Sequence, residues 1–230
     1  MGSSADAVPA ISFTIPYYDN AGYLAEAIDS VRAQTESDWE LIVVDDAGPE
    51  PAHDLVAAYG DERITYVRNE RNLGLARNWN ECLRHVRAPF ATVLHGDDRL
   101  DPAYAAKVLA AHAAHPDVSI VFTDVRIIGP DGQPARTMAD IAKRFARRSR
   151  DDHDLAGDGD LAVLLAGNYI LCPTLCFRVA VVVANRSTRG GASCPTGTSP
   201  VASCWRATRC TASANRCSST GATPAARPAR

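Results

Sequence analysis

The amino-acid sequence predicts an α/β domain, a Rossmann-like, mostly parallel sheet flanked by helices, and three observations carry the prediction. Between Ile11 and Val125 short apolar runs alternate with stretches of helical spacing, and the connections are short; this is the pattern of βαβ units. Two of the runs, Leu41–Val44 and Phe90–Leu94, are too short for a typical helix and rich in branched residues, as strands buried on both faces are. Each leads into adjacent carboxylates, Asp45-Asp46 and Asp97-Asp98. Both pairs therefore sit at a strand's carboxyl end, the edge where open α/β sheets bind ligands. Adjacent carboxylates repel, so a cation or hydrogen-bond donors must hold each pair.

The elements follow in order. Ile11–Pro16 reads as a first strand, and Asn20 caps a helix to about Ala33 with Leu24, Ala27, Ile28 and Val31 on one face. The second strand ends at Asp45. A turn through Gly48-Pro49 and a helix over about Ala52–Tyr59 come next, then Arg63–Val67 alternating as a third strand. Gly74–Val86 reads as a helix and the fourth strand ends at His95. Asp101-Pro102 opens another helix, with cap and first-turn proline in their preferred positions. Val118–Val125 is a further strand, and Gly129-Pro130-Asp131-Gly132 has hairpin punctuation.

Beyond it, Lys143–Arg150 with Asp151-Asp152 reads as a loop, Asp160–Ala166 as a short helix and Asn168–Arg178 as a strand and its turn. From about Val183 no periodicity of either kind remains, and such a tail buries too little apolar surface to offset chain entropy. The expected organisation is a disordered segment over 1–10, one α/β domain over 11–180, and a low-complexity, irregular or disordered tail over 181–230.

With 230 residues and 46% hydrophobic content the chain can bury a full core, and a net charge of −3 argues against general nucleic-acid binding. No run approaches the roughly 18 apolar residues of a membrane span, and Met1–Ala10 lacks signal-peptide features. A cytoplasmic protein, with peripheral membrane association left open, is the expectation. None of the seven cysteines forms a CxxC pair, which argues against zinc, and Cys172 and Cys176 read as small buried apolar residues. Lysine occurs only at Lys107 and Lys143, an arginine bias that suggests a GC-rich gene.

Five blocks stand in order: Ile15-Pro16-Tyr17-Tyr18-Asp19-Asn20; Ala33-Gln34-Thr35; Trp39-Glu40 through Asp45-Asp46; Asn72 through Gly74 to Arg77-Asn78; and His95-Gly96-Asp97-Asp98. Together, over about Ile11–Arg178, they resemble family 2 glycosyltransferases. The resemblance implies the GT-A fold and inverting, metal-dependent transfer of a sugar from a nucleotide-diphosphate donor to a hydroxyl of a saccharide, lipid or natural-product acceptor. It implies that Pro16, Tyr17, Tyr18, Asp19, Asp46, Asn72, Gly74, Arg77 and Asp97 bind the nucleotide sugar, Asp46 reading the base, and that Asp98 is the direct ligand of Mg²⁺ or Mn²⁺. The chemistry is apt: an aromatic ring stacks on a base, a carboxylate accepts from base or ribose, and a hard dication bridges carboxylate and phosphate. His95 stands where the family often has Asp, which reduces the motif to one acidic pair; a His there is structural or faces the sugar.

Two other families share part of this pattern. A phospho-receiver domain shares the Leu-Ile-Val-Val-Asp-Asp run, but its acidic pair closes the first strand, whereas here Ile11–Pro16 precedes it, and no lysine stands at a later strand end. A sugar nucleotidyltransferase needs a Gly- and Lys-rich phosphate loop that is absent near the first strand.

The resemblance also implies an Asp base in a later acidic block near a Trp, and none is visible after Arg178. Read one base back, Pro195–Ser199 are compatible with Asp-Trp-Asp-Leu, and Asn215–Thr223 with Glu-Pro-Leu-Leu-Leu-Tyr-Arg-Arg-His, similar to the family's closing segment. The expectation is a frameshift beginning near Val179–Arg189, a domain truncated before its base, and impaired turnover. Asp158 and Asp160, set in a loop and at a helix cap, are poor substitutes.

Overall fold

A computed structural model of the protein describes residues 7–128, 153–155, 172–187 and 210–219. Strand β1 (Ile11–Tyr17) leads through α1 (Ala21–Arg32) to β2 (Trp39–Asp45), and α2 (His53–Ala57) leads to β3 (Ile64–Arg68). Then come α3 (Leu75–Cys82), β4 (Phe90–Val93), α4 (Tyr104–Ala114) and β5 (Ile120–Ile127). Strand β6 (His153–Leu155), a 3₁₀ turn (Cys172–Thr174), β7 (Leu175–Arg178), α5 (Val179–Ser187) and β8 (Cys210–Ser219) complete the described elements.

Among the described residues eight strands form one sheet in the order β3-β2-β1-β4-β7-β5-β8-β6. Strands β3, β2, β1 and β4 are parallel neighbours, β7 is antiparallel to both β4 and β5, β8 is parallel to β5, and β6 antiparallel to β8. Strand order therefore reverses at β1: β2 and β3 build to one side, β4 to the other. The crevice outside the carboxyl ends of β1 and β4 is the switch point where doubly wound sheets take ligands.

Period-two alternation explains the unbroken apolar strands. Leu41 and Val43 of β2 join Phe13, Ile15, Leu24, Ile28, Val31 and Tyr104 in the larger core, while Ile42 and Val44 meet Cys82 on the opposite face. Covered on both sides, β2 is buried at every position. Helix α1 buries Leu24, Ala27, Ile28 and Val31, and each large side chain contributes about 1.5–3 kcal/mol. Asn20 is its N-cap: Oδ1 accepts from Tyr23 N–H at 3.3 Å, and φ of 70° is tolerated because Asn visits the left-handed region readily. Phe177, Leu175, Trp79, Val93 and Val182 form a second cluster.

Several boundaries differ from the sequence expectation. Helices α2 and α3 are shorter than predicted, and β4 ends at Val93, with Leu94 N–H still donating to Thr14 O at 2.9 Å. Asp101 is not the N-cap of α4, which is Ala103; Asp101 instead forms a turn ahead of it, accepting Ala103 N–H on Oδ1 at 3.0 Å and Tyr104 N–H on its carbonyl at 2.9 Å. Within 1–10, Pro9 is buried and Ala10 N–H donates to Asp38 O at 3.1 Å. Two elements have no counterpart in the expected order. Helix α5 crosses position 180 on the apolar run Val179–Ala184, and β8 lies inside the tail, because a ladder is made by backbone groups that Ser, Thr and Ala carry as well as Val does. The turn expected at 129–132, the loop at 143–152, the helix at 160–166, and positions 188–209 and 220–230 lie outside the described residues.

Candidate functional site

Asp45 ends β2 as the sequence implied, whereas Asp97-Asp98 lie in a turn beyond the end of β4 at Val93, and the surroundings of the two pairs differ. Asp45, fully buried at the end of β2, accepts from Gly48 N–H at 3.1 Å on Oδ1, and Tyr66 hydroxyl and Arg68 Nη1 donate to Oδ2. Asp46, also buried, takes Asn69 Nδ2 at 2.9 Å and Leu73 N–H at 2.8 Å on Oδ1, and Gly74 N–H at 2.9 Å on Oδ2. Its own N–H donates to Tyr17 O at 2.8 Å. Asp46 thus gathers the ends of β1 and β2 and the segment leading into α3. With about four acceptor sites on a carboxylate, one remains for a ligand.

That segment enters α3 through Gly74, whose φ of 80° suits glycine and whose N–H also donates to Asn72 Oδ1 at 2.8 Å. One turn into α3, buried Asn78 accepts from Asn69 at 2.9 Å and donates to Val44 O at 3.1 Å. The next residue, Trp79, is 5% exposed, places its ring 5.5 Å from that of His95, and has an indole N–H without a partner. Helix α3 therefore bridges the two pairs, Asn78 on the Asp46 network and Trp79 on the β4 exit.

Gly48 holds the β1 and β2 exits together. A Cβ on it would lie 1.5 Å from Tyr18 O, so only glycine fits. Tyr17 is buried, donates its hydroxyl to Glu50 O at 2.9 Å, and has its pKa pushed up to about 12, first by burial and then by Glu50, Asp45 and Asp19. Tyr18 and Asp19 are exposed, Pro16 is half-buried, and Asn72 and Arg77 are exposed at the start of α3.

His95-Gly96-Asp97-Asp98 is a four-residue turn closed by Asp98 N–H donating to His95 O at 3.1 Å. The turn brings His95 Nδ1 within 3.6 Å of Asp98 Oδ2, and one donor atom from each of His95, Asp97 and Asp98 lies within 4.8 Å of the others. Asp98 is 6% exposed, yet no Arg or Lys pairs with it among the described residues. Burial, then the Asp97 charge, pushes its carboxyl up to about 8. Burial lowers the His95 pKa, against the opposing pull of Asp97, so the imidazole is neutral at pH 7. Two carboxylates and a neutral imidazole converging without a protein cation are a donor set that fits a divalent metal.

Sequence reasoning missed Tyr66, Arg68, Asn69 and Trp79. Arg68 and Asn69 directly follow the β3 core, and a polar break at a strand's carboxyl end was the available signal. For Trp79 there was none beyond its place in a helix. Glu40, quoted for the resemblance, works at the other end of the sheet: Ser12 Oγ donates to it at 2.5 Å, and Arg87 N–H and Nε at 2.9 and 2.6 Å. Cys176 is buried as expected; the side chain of Cys172 lies outside the described residues.

A doubly wound sheet with polar and metal-type clusters at its switch point defines a ligand-binding α/β protein. The profile of Glycosyl transferase family 2 matches residues 12–167, more than half of the chain, and the chain belongs to that family of enzymes. It is similar to the putative glycosyltransferase EpsE of Bacillus subtilis, 30% identical over 127 residues, which cover 54% of this chain and 46% of EpsE. It is also similar to the putative teichuronic acid biosynthesis glycosyltransferase TuaG of that bacterium, 29% identical over 128 residues, 55% of this chain and 50% of TuaG. The succinoglycan biosynthesis protein ExoO of Rhizobium meliloti is 29% identical over 136 residues, 59% of this chain and 38% of ExoO. The chain spans about half or less of the length of these curated relatives.

Among solved structures, S. aureus TarS 1-349 superposes with a TM-score of 0.66 at 16% identity, over 91% of this chain and 60% of that one. Its complex with UDP-GlcNAc superposes with 0.58 at 19% identity, over 76% and 47%. At these identities the likeness is one of fold, and the fold is the GT-A-like α/β architecture. The family assignment displaces the receiver and nucleotidyltransferase rivals. No helix among the described residues is long and apolar enough to cross a membrane.

Proposed function

We propose that this chain binds a nucleoside-diphosphate sugar at the crevice between β1 and β4 and supports inverting transfer of the sugar to an acceptor hydroxyl. The carrying observation is the contrast between the two pairs: Asp45-Asp46 are satisfied by Arg68 and a ring of donors, whereas Asp97-Asp98 lack a protein cation among the described residues. A dication at His95, Asp97 and Asp98, Asp98 its direct ligand, would supply charge neutralisation for a pyrophosphate leaving group. Asp46, with one acceptor site left, accepts from the base or ribose. Tyr18, 47% exposed at the end of β1, offers a ring for stacking, and Arg77 lies on the nucleotide side. Pro16, Tyr17 and Asp19 shape the wall of the crevice, and Asn72 and Gly74 hold the segment over it. The UDP-GlcNAc complex of TarS supports a donor of this class, and the names of TuaG and ExoO support a saccharide acceptor in polysaccharide biosynthesis.

In the transfer, the acceptor oxygen bonds to the anomeric carbon as the bond from that carbon to the diphosphate oxygen breaks. The electron pair leaves with the nucleoside diphosphate, and the hydroxyl proton needs a base. The sequence after Asp160 contains no Asp or Glu, which supports the reading that donor binding exceeds turnover in this chain. A panel of nucleotide sugars with and without Mn²⁺ tests the binding half. A matched donor at a hundredfold excess over its Kd is expected to raise the Tm by about 5 °C or more, with the Mn²⁺ dependence lost in Asp98→Asn. If no donor shifts the Tm under either condition, the proposal fails.

A further inference from the structure

We infer that His95 is a nitrogen ligand of the metal site, making a His-Asp-Asp set that selects the first-row cations Mn²⁺, Co²⁺ or Zn²⁺ over Mg²⁺. This rests on the proposed metal role of Asp98 and adds a specificity-determining residue to it. The geometry comes from the His95–Asp98 turn, which sets Nδ1 and Oδ2 3.6 Å apart. Two ligand atoms each about 2.1 Å from one ion, at angles between octahedral and tetrahedral, lie ~3.0–3.4 Å apart. The metal-free spacing is thus a few tenths of an ångström wider than that of two ligands on one ion.

Two further observations point to an ion there. Asp98 is 6% exposed and has no hydrogen-bond donor or basic partner other than the neutral His95 ring among the described residues, so an ionised Asp98 calls for a cation that these residues do not supply. The His95 ring is braced by Trp79, tilted 54° to it at 5.5 Å, while 34% of the His95 side chain stays exposed toward solvent. A ligating imidazole needs such a fixed ring and an open side. Mg²⁺ demands oxygen ligands in near-ideal octahedral array and sheds water reluctantly, whereas imidazole nitrogen suits the later divalent metals. Replacing one oxygen donor by nitrogen therefore penalises Mg²⁺ selectively.

The test uses the full chain with Mn²⁺ alone and with Mn²⁺ plus UDP. Pulsed electron paramagnetic resonance of bound Mn²⁺ is expected to show coupling to one directly coordinated nitrogen, absent in His95→Asp and His95→Gln. Competition titrations should show the Mn²⁺-over-Mg²⁺ preference falling by about tenfold or more in His95→Asp, which restores an all-oxygen set. Saturable Mn²⁺ binding without nitrogen coupling, or an unchanged preference in His95→Asp, overturns the inference and leaves the role of Asp98 standing. No saturable Mn²⁺ binding by the unmodified chain, with or without UDP, removes the metal reading itself and this inference with it. The spectroscopic result on the unmodified chain stands even if a variant fails to fold.

Discussion

His112 shows how a single buried group makes stability depend on pH. It is 2% exposed on α4, stacks on Phe90 at 4.3 Å between ring centroids, and places Nε2 3.3 Å from Cys176 O, while Nδ1 has no partner. Burial pushes its pKa down to about 4, against the favourable Cys176 carbonyl and with help from Arg178. Because the folded value is depressed, the neutral ring's stabilisation is present above the unfolded pKa of about 6.5 and is lost as pH falls toward about 4. The loss is on the order of 3 kcal/mol across that window. Denaturant titrations of the protein and of His112→Phe between about pH 4 and 8 check this: the difference in slope should vanish above about pH 7. Equal pH dependence of the two proteins would falsify the assignment. At this scale the sequence announced the carboxylates but not their partners. Asp45-Asp46 and Asp97-Asp98 look alike as letters; only the fold brings Arg68 from β3 to Asp45 and leaves Asp98 without a cation among the described residues.

The strand exits meet through backbone rather than side chains. Gly48 packs so closely on Tyr18 that a methyl group would overlap its carbonyl, at 1.5 Å from the oxygen and 2.6 Å from the carbon. Gly48→Ala must therefore push the β1 and β2 exits apart. The expected cost is about 1–3 kcal/mol of stability with loss of donor-induced stabilisation, read from denaturant melts with and without the nucleotide sugar. A variant with normal stability and normal donor binding would contradict the contact. The sequence read Gly48-Pro49 only as a turn, since a turn's composition is local while the approach of Tyr18, thirty positions earlier, is not. The Ala33-Gln34-Thr35 block has a similar history. Gln34 Nε2 donates to Ser30 O and Asp101 O at 3.0 and 2.9 Å, and its Oε1 accepts Ala105 N–H at 2.9 Å. It clasps the end of α1 to the start of α4, a structural duty inside a block quoted for a functional resemblance.

For the whole molecule, the stretch after Arg178 bears on the acceptor's base. Helix α5 runs from Val179 to Ser187, and β8 pairs with β5 in the sheet. Neither supplies a carboxylate for the acceptor's proton, because the sequence holds no Asp or Glu after Asp160. A chain rebuilt in the alternative frame from near Val179 is therefore expected to bind the same donor with similar affinity and to turn over faster by about 10²-fold or more. Parallel donor-binding and transfer assays on both chains check this, and equal turnover would sink the missing-base reading.

By itself the sequence determined the α/β class, the order of strands and helices over Ile11–Val125, and the family. These are encoded locally, in apolar period and in polar residues that interrupt it. The tertiary structure decided which carboxylates are already neutralised, that α3 links the two clusters through Asn78 and Trp79, and that His95 converges with Asp97 and Asp98. Those are relations between residues far apart in the chain or turned toward one another by a closed turn. They arise from strand order and register, which no single stretch of sequence contains.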